Sequence, residues 1–217
     1  VYMVHNPIDQ FSIDTALYRL KFNEHFFLQL LKALNKKKIE SYQGKAYKEL
    51  GKYAIEIYKS LNFTLTNSQI KSLRDIRSDL KLKKPMNRLI QGDVGCGKTI
   101  VAVITAAIIV GHNSQVAIMA PTEILAEQHY ISFEKHFKNY DINCELLISN
   151  VNQKDKNKIY ENLQNGIIDI IVGTHALIQE KVNFKDLRLV IIYEQHRFCV
   201  DQRKGLLDKG ENPNVLS

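Results

Sequence analysis

The octapeptide Gly92-Asp93-Val94-Gly95-Cys96-Gly97-Lys98-Thr99 restricts this chain to a narrow set of folds. It follows a short apolar stretch, Arg88 to Gln91, and precedes the apolar run Ile100 to Val110, so it reads as strand, glycine loop and helix in succession. Glycines let the backbone take positive φ, which turns successive N–H groups inward on an anion. The start of the following helix adds partial positive charge, Lys98 a mobile cation, and Thr99 a hydroxyl able to ligate Mg²⁺. Such a loop predicts binding of nucleotide phosphates. Cys96, inside the loop at the helix start, is open to two readings: a thiol with a depressed pKa, or a small residue filling its place.

Beyond Phe63 the chain alternates apolar runs with helical stretches. Strands are expected at Arg88–Gln91, Gln115–Ala120, Cys144–Ile148, Ile168–Gly173 and Leu187–Tyr193, with helices near 98–111, 122–137 and 154–164. Strands this apolar are covered on both faces, which predicts an α/β domain with a parallel sheet. A sixth strand begins at Asn214-Val215-Leu216, where unpaired backbone groups are expected to be exposed, and the first residue is Val1. Both features suggest a piece of a longer protein.

Residues 1–60 have a different texture. Leu17, Leu20, Phe27, Leu31 and Leu34 recur with the helical period, which predicts an amphipathic helix over 14–38 with Asp14 as its N-cap. Lys36, Lys37 and Lys38 then fall at its end, read as a solvated terminus or as a phosphate-binding patch. A second helix is expected over 46–61, with Gly44 at the break.

Composition narrows the class further. With 45% apolar and 24% charged residues the chain is a folded globular protein, and wholesale disorder is excluded. A net charge of +7 suits a polyanionic partner such as nucleic acid. Cys96, Cys144 and Cys199 are too widely spaced for a metal knuckle or disulfide framework. They are expected to be reduced thiols of a cytoplasmic protein, the latter two buried in packing. The N-terminus has no secretory pattern, and the longest apolar run is too short for a bilayer, so no membrane partner is expected.

A last cluster closes the expected fifth strand. Tyr193, Glu194, Gln195 and His196 stand where phosphate-loop motors bring an aspartate to the Mg²⁺ shell and a glutamate to the attacking water. Glu194 suits the second role. Tyr193, a neutral phenol, does not suit the first.

Four stretches together carry a resemblance: PMNRLIQGDVGCGKT (Pro85 to Thr99), MAPTEILAEQHY (Met119 to Tyr130), VGTHALIQE (Val172 to Glu180) and YEQHRFCVDQR (Tyr193 to Arg203). The chain resembles the bacterial RecG helicase family, superfamily-two motors that remodel branched DNA, from about residue 5 to its end. Transcription-repair coupling factors share the GDVGxGKT and GTH elements, but the LIQE and EQHRF wording is nearer to RecG.

The resemblance implies a RecA-like P-loop NTPase fold after an N-terminal helical extension: residues 1–60 as the connector to a wedge domain and 61–217 as the first motor domain. It implies ATP and Mg²⁺ as cofactors, and branched, single- or double-stranded DNA as partner in repair and recombination. The lead FTLTNSQ would recognise adenine through Phe63 and Gln69, with residues 92–99 on the phosphates. Lys98, Glu194, Gln195 and His196 would be the catalytic set, Glu194 as base and the next two coupling the γ-phosphate to domain closure. Pro121, Thr122, Gly173, Thr174 and His175 would meet the DNA backbone, a task suited to amides and hydroxyls because phosphate contacts position a strand without reading it. From the residues alone, Pro121-Thr122 is also a good helix start, and His175 and His129 ordinary polar side chains.

Three positions depart from the family pattern: Tyr193 for the metal-shell aspartate, Cys199 for a glycine, and Cys96 within the loop. The first predicts impaired hydrolysis, and the second a strained turn. The coupling motif and second motor domain expected to follow lie outside this sequence. Two forms remain open for the chain itself: half of a helicase completed by a second chain, or a product that binds nucleotide or DNA passively.

Overall fold

The computed structural model describes residues 2–40, 42–93 and 95–217. They form two compact units that divide between Tyr42 and Gln43. The first holds a short helix α1 (Tyr2–His5) and a long α2 (Gln10–Glu40). Helix α2 starts earlier than the expected Asp14, because Asp9 does the capping: its carboxylate accepts the Ser12 N–H at 2.7 Å and the Ser12 hydroxyl at 2.6 Å. Asp14 sits inside the helix and accepts from Gln10 Nε2 at 3.2 Å.

The second unit is an α/β layer structure. Its strands are β1 (Asn87–Arg88), β2 (Gln115–Met119), β3 (Cys144–Leu147), β4 (Ile170–Gly173), β5 (Leu187–Ile192) and β6 (Asn214–Leu216), all parallel in the order β1-β6-β5-β2-β4-β3. Successive side chains point to opposite faces and meet two separate cores. Val116, Ile118, Ile170, Val172, Leu189 and Ile191 belong to one core, while Ala117, Met119, Ile171, Val190 and Ile192 belong to the other.

On the first face lie α3 (Lys52–Ser60), α4 (Asn67–Leu80), α5 (Lys98–Val110) and α6 (Glu123–Phe137). The other face is covered by α7 (Gln153–Asn165), α8 (Val200–Leu207) and a 3₁₀ turn at His175–Ile178. Every residue of α5 from Ile100 onward is buried, as an all-round apolar helix requires, because α3 and α4 cover the side turned away from the sheet.

Four expectations are corrected here. The second helix begins at Lys52, not Ala46. Residues 46–50 run without regular structure over α4, held by Tyr47 N–H to Leu80 O at 2.7 Å and by the Arg77 guanidinium on the carbonyls of Tyr47, Lys48 and Glu49. Residues 43–60 therefore pack with the second unit, ahead of the boundary expected after residue 60. Strand β6 has no bare row, since it pairs with β1 on one side and β5 on the other, and Ser217 O accepts the Ile90 N–H at 2.6 Å. Cys199 is exposed, whereas Cys144 is half-buried and burial pushes its thiol pKa up to about 12.

Helices α4 and α8 went unforeseen, each announced only by a short cap. Among the described residues no helix is long and apolar enough to cross a membrane.

Candidate nucleotide site

The phosphate loop leaves β1 and enters α5 with the backbone its glycines allow. Gly95 has φ 82° and Gly97 has φ 80°, both in the left-handed region. Gly97 occupies the N-cap of α5 without a side-chain cap, so the first N–H groups of the helix are left for a ligand. Val94, expected among the phosphate-binding residues, lies outside the described residues.

Lys98 folds back on its own loop. Its ammonium donates to the carbonyls of Gly92 at 2.6 Å and Asp93 at 2.8 Å, with the Cys96 sulfur 3.8 Å away. These are the bonds that a phosphate would compete for. Cys96 is exposed, its Sγ only 2.7 Å from where a Cβ on Gly92 would lie, so a side chain at 92 would displace the thiol.

Gln69 is placed beside the loop by the first turn of α4. Thr66 caps that helix through the Gln69 N–H, while Gln69 Oε1 accepts the Thr66 N–H at 2.8 Å, a reciprocal capping box. Its Nε2 then donates to Cys96 O at 2.9 Å. Both ends of the amide are thus engaged, and a Cβ on Gly97 would lie 2.3 Å from Nε2. Phe63, the other residue expected at an adenine, is exposed four positions before the helix.

Across the sheet edge, β5 delivers Tyr193 and Glu194. The Tyr193 N–H bonds Met119 O at 3.0 Å, and its ring stacks on His129 of α6 with centroids 3.6 Å apart and planes 16° from parallel. Its hydroxyl oxygen is buried without a hydrogen-bond partner of good geometry. Burial drives the phenol pKa upward, opposed only by the nearby Thr99 hydroxyl, so the group stays a neutral O–H. Glu194 takes φ 50°, uncommon for a residue with a side chain, which lifts its exposed carboxylate out of the strand line toward Arg197 at 3.6 Å. Lys98, Tyr193 and Glu194 line one cavity of about 80 Å³ with Ile90, Ala102 and Ser217.

The remaining expected residues are spread along the same edge. Gln195 Oε1 accepts from Arg203 Nη1 at 3.4 Å, and His196 is exposed. Pro121 and Thr122 follow β2, while Gly173, Thr174 and His175 follow β4; the Ala120 N–H bond to Gly173 O at 2.9 Å ties the two segments together. Thr122 caps α6 through the Leu125 N–H at 3.3 Å. His175 is exposed, Thr174 is buried with an unpaired hydroxyl, and a Cβ on Gly173 would meet Leu147 O at 2.4 Å. Cys199 strains nothing: its φ of −68° suits any residue, and its sulfur joins Gln202 in a capping box for α8. The residue that sequence reasoning missed is His129, for which no local pattern announces a stack with Tyr193, more than sixty positions further along the chain.

Comparison with known proteins converges on one family. The family profile described as DEAD/DEAH box helicase matches residues 66–211. An ATP-dependent DNA helicase RecG of Thermotoga maritima is 46% identical over 99% of this chain, and one of Bacillus subtilis is 46% identical over 98%. A solved structure of RecG bound to a three-way DNA junction superposes with a TM-score of 0.82 at 45% identity, over 95% of this chain. The chain spans only 28% to 31% of the length of these proteins. With the profile matched over residues 66–211 and the fold superposing on a RecG, the chain belongs to the DEAD/DEAH box helicase family, among relatives of the RecG kind.

Proposed function

We propose that this chain is the first motor half of a RecG-type ATP-dependent DNA helicase of repair and recombination, acting on branched DNA in the cytoplasm. The observation that carries the reading is Lys98 and Glu194 on one cavity at the mouth of the glycine loop, in a chain whose relatives are RecG proteins. Residues 1–60 would connect to a wedge domain, their last part, 43–60, packed as an edge of the motor domain that residues 61–217 form. ATP would lie with its phosphates on residues 92–99 and its adenine toward Gln69 and Phe63, once the Gln69 amide leaves Cys96 O. Glu194 would accept a proton from the attacking water, and Gln195 and His196 would report the γ-phosphate to the neighbouring motor domain. Pro121, Thr122, Gly173 and His175 would hold the DNA backbone, with Thr174 bracing them from below.

Mg²⁺ usually accompanies ATP in this family, but the residues here fit it poorly. Thr99 offers a ligand oxygen, while the place of the acidic partner is taken by a buried neutral phenol, which brings no negative charge to a cation. That observation favours weak hydrolysis, and it supports a second reading of passive nucleotide or DNA binding. A second chain completing the motor gains no support from the fold or from the relatives.

A titration with fluorescent ATP and with a labelled three-way junction tests the proposal. Lys98→Ala is expected to weaken nucleotide binding at least tenfold and to leave junction binding unchanged. Equal nucleotide affinity in the variant would sink the reading.

A further inference from the structure

The mismatch at Tyr193 has a chemical content of its own, which rests on the nucleotide reading above. A Mg²⁺ site needs oxygen acceptors around the cation, with at least one formal negative charge supplied by the protein or its ligand waters' partners. Here the protein supplies an O–H donor instead. The ring is held in place from one side by the His129 stack and from behind by the Tyr193 N–H bond to Met119. The hydroxyl is buried and makes no hydrogen bond of good geometry, with Thr99 nearby, and Tyr193 lines the cavity that Lys98 also lines. A buried donor without an acceptor is destabilising, and an incoming anion relieves that cost.

A carboxylate and a phenol at this position make opposite demands. The carboxylate repels a phosphate unless a divalent cation stands between them. A phenol needs no such bridge, because its O–H can hydrogen-bond a phosphate oxygen directly. Charge balance follows the same direction. Lys98, the Thr99 hydroxyl and the helix start of α5 all present positive or donor groups to the loop mouth, and Glu194, the one acid among the described residues that line the cavity, is turned toward Arg197.

We propose that this chain binds a nucleoside polyphosphate without a divalent cation, the Tyr193 hydroxyl donating to a phosphate oxygen in the place where relatives of this fold use metal. Nucleotide then occupies the loop as a stable ligand poorly set for hydrolysis.

The test is calorimetric titration of ATP into the whole chain, in Mg²⁺ and in EDTA, with the Tyr193→Phe, Tyr193→Asp and Lys98→Ala variants alongside. The expected result for the unaltered chain is an affinity that differs by less than twofold between the two buffers. Tyr193→Phe keeps the ring and its stack, so the fold is preserved, and loss of the hydroxyl is expected to weaken binding about fivefold in both buffers. Tyr193→Asp is expected to bind at least tenfold better in Mg²⁺ than in EDTA. A tenfold loss for the unaltered chain in EDTA overturns the metal-free mode while leaving nucleotide binding in place. Equal affinity in Tyr193→Phe overturns the donor role of the hydroxyl. A Tyr193→Asp protein indifferent to Mg²⁺ overturns the assignment to this residue. Absence of binding by every folded variant in both buffers, checked by circular dichroism, overturns the nucleotide reading itself.

Discussion

His129 shows how one side chain links the site to stability. Burial against the Tyr193 ring holds its pKa down at about 4, from an ordinary 6.5, with the nearby Glu194 pulling weakly the other way. Between those values the unfolded chain binds a proton that the folded chain refuses. The contribution is therefore complete above pH 6.5 and is lost as the pH falls toward 4. We expect urea unfolding to show a drop in stability from pH 7 to pH 5, and His129→Phe, which keeps an aromatic stack without the titrating nitrogen, to flatten that drop. An unchanged pH profile in the variant would separate acid sensitivity from this residue. The same stack explains why Tyr193 is tolerated: an aromatic partner on α6 gives the phenol a packed environment that a carboxylate would not use.

Helix ends decide how the loop is supported. The Thr66–Gln69 capping box starts α4 and at the same time sets the Gln69 amide on Cys96 O, so one local motif fixes the helix and braces the phosphate loop. Thr66→Ala is expected to lower the unfolding free energy by about 1 kcal/mol, read from a shift in the urea midpoint. Arg77, at the other end of α4, spreads its guanidinium over three carbonyls of residues 47–49. Arg77→Lys keeps the charge and loses the fork, with an expected cost of about 2 kcal/mol; a neutral result would mean that water replaces these bonds at no loss. The capping boxes of α4 and α8 were written in the sequence as T-x-x-Q and C-x-x-Q, short signals that the longer motifs around them overshadowed.

For the whole molecule the decisive question is where the second unit begins. Tyr47, Ala54 and Ile57 are buried in the core that α5 shares with the sheet, so residues 43–60 are part of that unit's packing. A chain of residues 43–217 is expected to unfold in one cooperative transition and to bind nucleotide as the full chain does. A chain of residues 61–217 would expose the outer face of α5 and lose several large buried side chains, with a fall in the thermal midpoint of ten degrees or more expected, on the order of 2–5 kcal/mol for each such residue removed. Equal midpoints for the two would place the boundary at residue 60.

The apolar strands, the glycine loop and the strand-end tetrad were legible because each is a local pattern with a physical reason: a doubly covered strand must be apolar, and a phosphate cradle must have glycine where φ is positive. Those constraints by themselves determined the α/β class, the loop and its lysine, and the substitution at Tyr193. They could not reach the His129 stack, the Gln69 bond to the loop, the place of β6 between β1 and β5, or the folding of 46–50 over α4. Each of these joins residues far apart in the chain, and their energies come from packing and from hydrogen bonds that exist only once the sheet has brought the partners together. Cys199 makes the same point in miniature: a family comparison marks it as a strained glycine site, while the backbone there is extended and the thiol simply caps a helix.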